Sequence, residues 1–226
     1  NWNIPEAFDI ALHFGTLLAI CIFFFKDWLN LFKGAFEKVV HKKDSLESKI
    51  FFYMVIGTIP AGLIGLLFDH FLEGYLTHPL IVATALIVMG ILLYVIDKKS
   101  ASEYTYETMT FKQSFLITMA QVLAFVPGVS RSGATITVGR ALKVDRESVA
   151  KYTFLLSTPM IFAAVILKLG VFELTKEFFI GVFTSFLVGL FVIKFLMNFL
   201  KKGSFKVFAV YRVLLGLFVF GWYFFM

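Results

Sequence analysis

One cysteine in 226 residues excludes a disulfide framework and any thiolate metal centre built within the chain. That residue, Cys21, lies inside an apolar run, where packing in a membrane accounts for it. Also missing is a cleavable signal peptide, because no basic stretch precedes the first apolar run in Asn1-Trp2-Asn3-Ile4-Pro5-Glu6. There is no initiator Met, so the start is expected to be processed or the upstream sequence missing. The short stretch from Asp69 to His78 has no Lys or Arg, an absence that sets off the basic stretches elsewhere.

What is abundant is apolar surface. Hydrophobic residues make up 59% of the chain, mean hydropathy is +0.86, and 30 residues are Phe. A water-soluble core of this size could not hide so many aromatic rings, whereas a bilayer accepts them on the outer faces of helices. The expected class is therefore an all-α, polytopic helical membrane protein forming a single transmembrane domain over 1–226. Apolar runs near the bilayer-spanning length of about 20 residues occur at 8–25, 50–68, 79–96, 152–170, 178–200 and 205–226. These are six expected spans.

A net charge of +6 would suggest a nucleic-acid partner in a soluble protein, but here most Lys residues fall between apolar runs and report topology instead. Lys26, Lys33, Lys38, Lys42, Lys43 and Lys49 crowd one connection, which the positive-inside rule makes cytoplasmic. Lys98 and Lys99 return to that side after two crossings, and Arg140, Lys143, Arg146 and Lys151 share it. The segment 111–143 between them is too long for one crossing, short for two, and broken at Pro127, Gly128 and Gly133. Two half-helices forming a re-entrant hairpin fit best. A weak internal echo links Gly57-Thr58-Ile59-Pro60, ahead of Lys98-Lys99, with Leu156-Ser157-Thr158-Pro159, ahead of Lys201-Lys202. Inverted repeats are one reading of it, although they would require 111–143 to cross.

Irregular backbone at membrane depth must line a protein or water-filled cavity, since lipid cannot satisfy bare N–H and C=O groups. Gly128 and Gly133 allow the turn and a close approach of backbone N–H groups to a ligand, and Ser130, Ser132 and Thr135 add hydroxyls. Arg131 sets the character of the cavity. A buried guanidinium costs roughly 2.5–3.5 kcal/mol on insertion scales and persists when paired or functional. Its planar fork, the backbone amides and the positive end of the following half-helix together suit a phosphate. Arg131 and Thr135, at i and i+4, are expected on one helix face. The competing reading is a small-residue packing seam with Arg131 snorkelling to the interface.

Other polar residues admit plainer roles. His13 could be a ligand or relay but fits a hydrogen-bonded packing residue better, and His41, His70 and His78 read as solvated. Glu6 and Asp9 suit the N-terminus of the first span. Gln121, about two turns before the break, either points into the cavity or bonds across helices.

The stretch Pro127-Gly-Val-Ser-Arg-Ser-Gly-Ala-Thr135 resembles a signature motif of the undecaprenyl-diphosphate phosphatases, the bacitracin-resistance family. So do Phe8-Asp9-Ile10 through Gly15, Gly57 to Pro60, Gln113-Ser114-Phe115, Phe154-Leu155-Leu156 before Pro159, and Ala209-Val210-Tyr211-Arg212. The resemblance implies a multi-pass enzyme of the bacterial plasma membrane that hydrolyses a C55 polyprenyl diphosphate to the monophosphate carrier of cell-wall synthesis. It implies catalytic roles for Arg131, Ser130, Ser132 and Thr135, and substrate contacts from Gly128, Gly133 and Gln121. A divalent ion, Mg²⁺ or Ca²⁺, is implied as well. The family's other motif, with a Glu-x-x-x-Glu pair and a Ser-Ser-x-Gly-His stretch, is absent here, so an N-terminally incomplete chain with unassigned metal ligands is expected.

Two other classes compete. The phosphatidic-acid phosphatases also carry a Ser-Arg motif, but with a His where this chain has Thr137. A transporter or flippase of polyprenyl phosphates would use the same Arg and broken helix to hold the headgroup without cleaving it.

Overall fold

The computed structural model describes residues 6–72, 76–167 and 175–225. Nine α-helices occur among them: α1 (Glu6–Phe23), α2 (Phe25–His41), α3 (Leu46–Leu72), α4 (Pro79–Lys99), α5 (Phe111–Met119), α6 (Arg131–Ala141), α7 (Arg146–Leu167), α8 (Lys176–Leu200) and α9 (Lys206–Phe225). A 3₁₀ helix, Ala120–Phe125, continues α5. Over the described residues the six apolar runs are helical, the first of them up to the turn at Phe24. Residues 46–65 of α3, together with α4, α8 and α9, are each long and apolar enough to cross a bilayer. Helices α1 and α2 pass only as a pair, bent by 74°. The first turns of α7 carry Arg146, Glu147 and Lys151, which leaves a shorter apolar stretch.

That bend corrects one expectation. Lys26, Lys33 and Lys38 do not lie in a connection; they lie on α2. Phe25, Leu29, Phe32 and Phe36 recur at helical spacing and are all more than half exposed, while Leu31, Gly34 and Ala35 are buried against α3. The segment therefore has an apolar outer stripe, a packed inner face and a basic edge, and only its Lys content resembled a loop.

Two long seams hold the bundle, α1 along α8 and α4 along α9. Both depend on small residues. On α1 the row Ala11, Gly15, Ala19 faces Gly181, Ser185 and Gly189 of α8, and a Cβ at Gly15 would sit 2.4 Å from the Val182 carbonyl oxygen. Between lipid-facing helices association rests on such close packing and on interhelical hydrogen bonds. Here Ser185 Oγ donates to the Leu12 carbonyl at 2.7 Å and lies 2.9 Å from Thr16 Oγ1. The outer faces remain apolar, with Phe191 of α8 71% exposed and Phe218 of α9 69% exposed.

The basic connections gather at one end, but they are not one kind of feature. Asp97, at the close of α4, is buried and accepts from Arg140 Nε at 2.8 Å, from Arg146 Nε at 2.8 Å and from the Phe205 backbone N–H at 3.2 Å. Arg140 is 1% exposed and donates further to the carbonyls of Ser100 and Val144 and to Ser102 Oγ. Asp97 thus ties the end of α4 to α6, to the start of α7 and to the residue ahead of α9. Lys151 pairs with Asp27 at 2.6 Å, joining α7 to α2. Exposed Lys143 pairs with Glu103 at 2.8 Å, and that carboxylate holds its ammonium above the usual range. Helices α3 and α7 both start at this end and α4 and α8 both finish there, so the echo around Pro60 and Pro159 is not an inverted one.

Candidate functional site

The broken segment is a hairpin whose two ends meet. Thr110 and Gln113 form a reciprocal capping box at the start of α5, and Gln113 Nε2 donates to the Leu142 carbonyl at 3.0 Å, at the far end of the segment. Just outside, the N–H groups of Glu103 and Tyr104 donate to the Lys143 carbonyl at 2.9 and 3.1 Å. Along the legs, Tyr152 of α7 bonds through its hydroxyl to Ser114 Oγ and, at 2.8 Å, to Thr118 Oγ1. The hairpin is thus clamped by α3, α4 and α7.

Its tip is where regular helix fails. The 3₁₀ helix stops at Phe125, and Gly128 turns the chain with φ +90°, a conformation open to glycine at little cost. A Cβ there would also lie 2.5 Å from the Val82 carbonyl oxygen of α4. The Gly128 carbonyl accepts from Arg212 Nη2 of α9 at 2.8 Å. Ser130 caps α6, its Oγ accepting from the Gly133 N–H at 3.2 Å.

Arg131 is the first residue of α6, half-buried, and among the described residues its guanidinium makes no hydrogen bond or ion pair. Its own N–H and that of Ser132 occupy the first turn, where no intrahelical acceptor exists. The positive end of the α6 dipole lies at the same place. Ser132 is half-buried. Gly133 lies against α9, and a Cβ on it would be 3.0 Å from Arg212 Nη1. Gln121 is 3% exposed, and both its Oε1 and Nε2 are without partners.

Thr135 turns its hydroxyl into the protein. It is 1% exposed, and its hydroxyl bonds at 3.1 Å to the carbonyls of Arg131 and Ser132 and to Thr153 Oγ1 of α7. It braces α6 against α7, while the Arg131 guanidinium has no partner among the described residues. Thr137 likewise bonds back to the Gly133 carbonyl at 2.6 Å.

Sequence reasoning matched Arg212 only as part of a resemblance. The signal was present: a charge inside the apolar run 205–226 carries the same insertion cost that singled out Arg131. Arg212 is 8% exposed, and its Nε has no partner. The histidines lie elsewhere. His13 Nε2 is 3.8 Å from Asp9 Oδ2 on the exposed side of α1, and His78 caps α4 near Tyr223. The side-chain surroundings of His70 fall outside the described residues.

No three His, Cys, Asp or Glu side chains converge on a possible metal position among the described residues. The tip offers guanidinium, hydroxyl, amide and backbone N–H groups. That set binds anions and repels a divalent cation, so the described residues do not fit a metal centre.

Residues 2–218 match the family model for bacitracin resistance protein BacA. Over 228 residues the chain is 43% identical to an undecaprenyl-diphosphatase of Gemmatimonas aurantiaca, covering 97% of this chain and 85% of that protein. It is 40% identical over 213 residues to the one of Pelotomaculum thermopropionicum, covering 93% and 79%. With the undecaprenyl-diphosphatase of Elusimicrobium minutum it shares 39% identity over 215 residues, covering 94% and 81%.

Proposed function

The chain belongs to the bacitracin resistance protein BacA family, and we propose that it hydrolyses undecaprenyl diphosphate to undecaprenyl phosphate and inorganic phosphate at the tip of the α5–α6 hairpin. The observation that carries this reading is the guanidinium of Arg131, at a helix N-terminus inside an apolar bundle and without a partner among the described residues. A cation kept there at a cost of roughly 2.5–3.5 kcal/mol requires an anion, and the terminal phosphate of a lipid diphosphate supplies one.

In the reaction, water attacks the terminal phosphorus and the bond to the bridging oxygen breaks, leaving the monophosphate on the lipid. Catalysis of such transfers is mainly positioning and stabilisation of charge on the phosphoryl oxygens. The Arg131 fork spans two of those oxygens, and the first-turn N–H groups and the dipole of α6 add donors that need no rearrangement. Ser130 Oγ already accepts from Gly133, which leaves its proton to donate, and the Ser132 hydroxyl adds a second donor. Gln121 offers an unpaired amide on the other leg of the hairpin. Arg212 acts as a positioning residue through the Gly128 carbonyl. No step is routed through a metal ion, because the described residues hold no ligand set for one.

The proposed setting is the bacterial plasma membrane, with the basic end at the cytoplasmic side and the prenyl chain among the helices. The test is release of phosphate from undecaprenyl diphosphate by the purified protein. Arg131→Ala is expected to lower kcat at least about 100-fold, the scale of losing one charge stabiliser. A near-normal rate removes Arg131 from the chemistry, and tight binding of the lipid with no turnover by the unmodified protein favours the flippase reading.

A further inference from the structure

Helix α2 meets α1 at a bend of 74°. Helix α1 runs beside the span-length helix α8 from Ala11 to Ala19, so α2 turns out of the direction of the spans. Both ends of α2 stay at the basic end of the bundle. Near its start, Asp27 pairs at 2.6 Å with Lys151, in the second turn of α7. Further on, a Cβ on Gly34 would lie 2.8 Å from the Ser48 backbone nitrogen, in the first turn of α3. Lys38 then pairs at 2.7 Å with Asp44, just ahead of α3. Helices α3 and α7 both start at this end, so α2 lies across the end of the bundle and not through it.

Three strips run along α2. At 3.6 residues per turn Phe25, Leu29, Phe32, Phe36, Val39 and Val40 fall on one side, and all six are more than half exposed. Leu31, Gly34 and Ala35 are buried against α3. About a quarter-turn from the apolar stripe come Lys26, Asn30 and Lys33, all exposed. Lys42 and Lys43 follow at the end of the helix and are exposed too. Asp27 and Asp44 are answered by Lys151 and Lys38, whereas Lys26, Lys33, Lys42 and Lys43 make no ion pair among the described residues. Glu37 and Glu47 are the other acids between residues 24 and 49, so a positive surplus remains.

We infer that α2 is an in-plane anchor that binds the headgroups of anionic phospholipid, with its phenylalanine stripe among the acyl chains and Lys26 and Lys33 on the lipid phosphates. A helix with an apolar stripe bordered by lysines settles at the boundary of headgroups and acyl chains. An acidic protein would answer the lysines but not the six apolar side chains beside them. A bilayer surface answers both. A zwitterionic headgroup carries its own cation, whereas an anionic one leaves its phosphate charge unanswered. Each lysine near an anionic leaflet then raises association roughly fivefold. Nothing in this assignment depends on turnover at the hairpin tip.

Both placement and lipid preference can be read in the full chain, reconstituted in nanodiscs of phosphatidylcholine and phosphatidylglycerol in equal parts. The lone Cys21 is replaced by Ser, and a bimane probe is attached at Phe25→Cys, Phe32→Cys or Phe36→Cys. Depth is measured by quenching with lipids brominated at two levels of the acyl chain. A helix along the membrane normal would separate the first and last probes by about 16 Å at 1.5 Å per residue, and one inclined at 74° by about 5 Å. The smaller spread is expected. At the Phe36→Cys probe, brominated phosphatidylglycerol should associate at least about fivefold more strongly than brominated phosphatidylcholine.

That preference should fall below about twofold in a Lys26→Gln/Lys33→Gln variant and survive in Lys26→Arg/Lys33→Arg. It should also vanish in about 1 M salt, where charges are screened beyond about 3 Å. The salt comparison leaves the lysines in place, so it stands even where a variant fails to fold. A probe at Leu217→Cys, on the exposed face of α9, should show no preference. A depth spread near 16 Å, equal association of the two lipids at low salt, or a preference that outlasts both lysines overturns the assignment. Polyglutamate binding to the protein in phosphatidylcholine nanodiscs, without any preference for phosphatidylglycerol, would give the basic edge to an acidic protein instead and overturn it equally.

Discussion

Replacing Asp97 by Asn removes one charge from a cluster that has two arginines, and the structure assigns the loss unequally. Arg140 is 1% exposed and loses its only carboxylate, keeping bonds to the carbonyls of Ser100 and Val144 and to Ser102 Oγ. Leaving a buried charge uncompensated costs about 3–5 kcal/mol. Arg146, with a side chain 32% exposed, can turn to water, so Arg146→Gln costs no more than about 1 kcal/mol. At about 2–4 °C per kcal/mol for a chain of this size, Asp97→Asn should lower the apparent Tm by about 6–20 °C and Arg146→Gln by no more than about 2–4 °C. Melts of purified protein in one detergent at one scan rate make the comparison, because unfolding of a membrane protein is operationally kinetic. The double substitution Asp97→Asn/Arg140→Met, which removes both charges, should recover at least half of the loss. If Asp97→Asn melts no lower than Arg146→Gln, the buried pair is not what binds these four helix ends.

Two further outcomes follow from the tip and from the family. Gly128→Ala puts a Cβ 2.5 Å from the Val82 carbonyl oxygen at φ +90°, so phosphate release should fall at least about tenfold with a lower apparent Tm, the strain alone costing about 1–2 kcal/mol. An unchanged rate would mean that the turn does not place Arg131. The divalent ion that the resemblance implies finds no ligand set among the described residues, so a requirement for one would rest on groups outside them: turnover lost in EDTA and restored by Mg²⁺ or Ca²⁺ would show it, and full activity in EDTA would refute it.

The helices were readable because the bilayer imposes one length and one polarity on anything that crosses it, and all six apolar runs are helical over their described residues, although only four of the helices, or five if the bent α1–α2 pair is one span, are long and apolar enough to cross. The hairpin was readable for the same reason, since 33 residues broken by Pro127 and Gly128 match neither one crossing nor two. Charge was less informative. Lysines mark a side of the membrane whether they lie on a helix or in a loop, so α2 was mistaken for a connection. Arg140 was grouped with Lys143 as a topology signal, although one is buried at a four-way junction and the other is exposed; sequence distance to Asp97, 43 residues away, hid the partner. Thr135 shows the limit of periodicity. Spacing by four places two residues on one side of a helix, but only the presence of Thr153 on α7 shows that the hydroxyl turns towards protein and not towards a ligand.

The bond from Arg212 to the Gly128 carbonyl makes α9 the gauge of the tip. A residue inserted in the 201–205 connection would be absorbed by the turn. One inserted between Ala209 and Arg212 would advance the arginine by about 1.5 Å and swing it through roughly 100°, away from the hairpin. The position of the phosphate-binding guanidinium is therefore set by the register of a helix that contributes nothing else to the tip, and the last span of the chain can drift in sequence far more freely than it can in length.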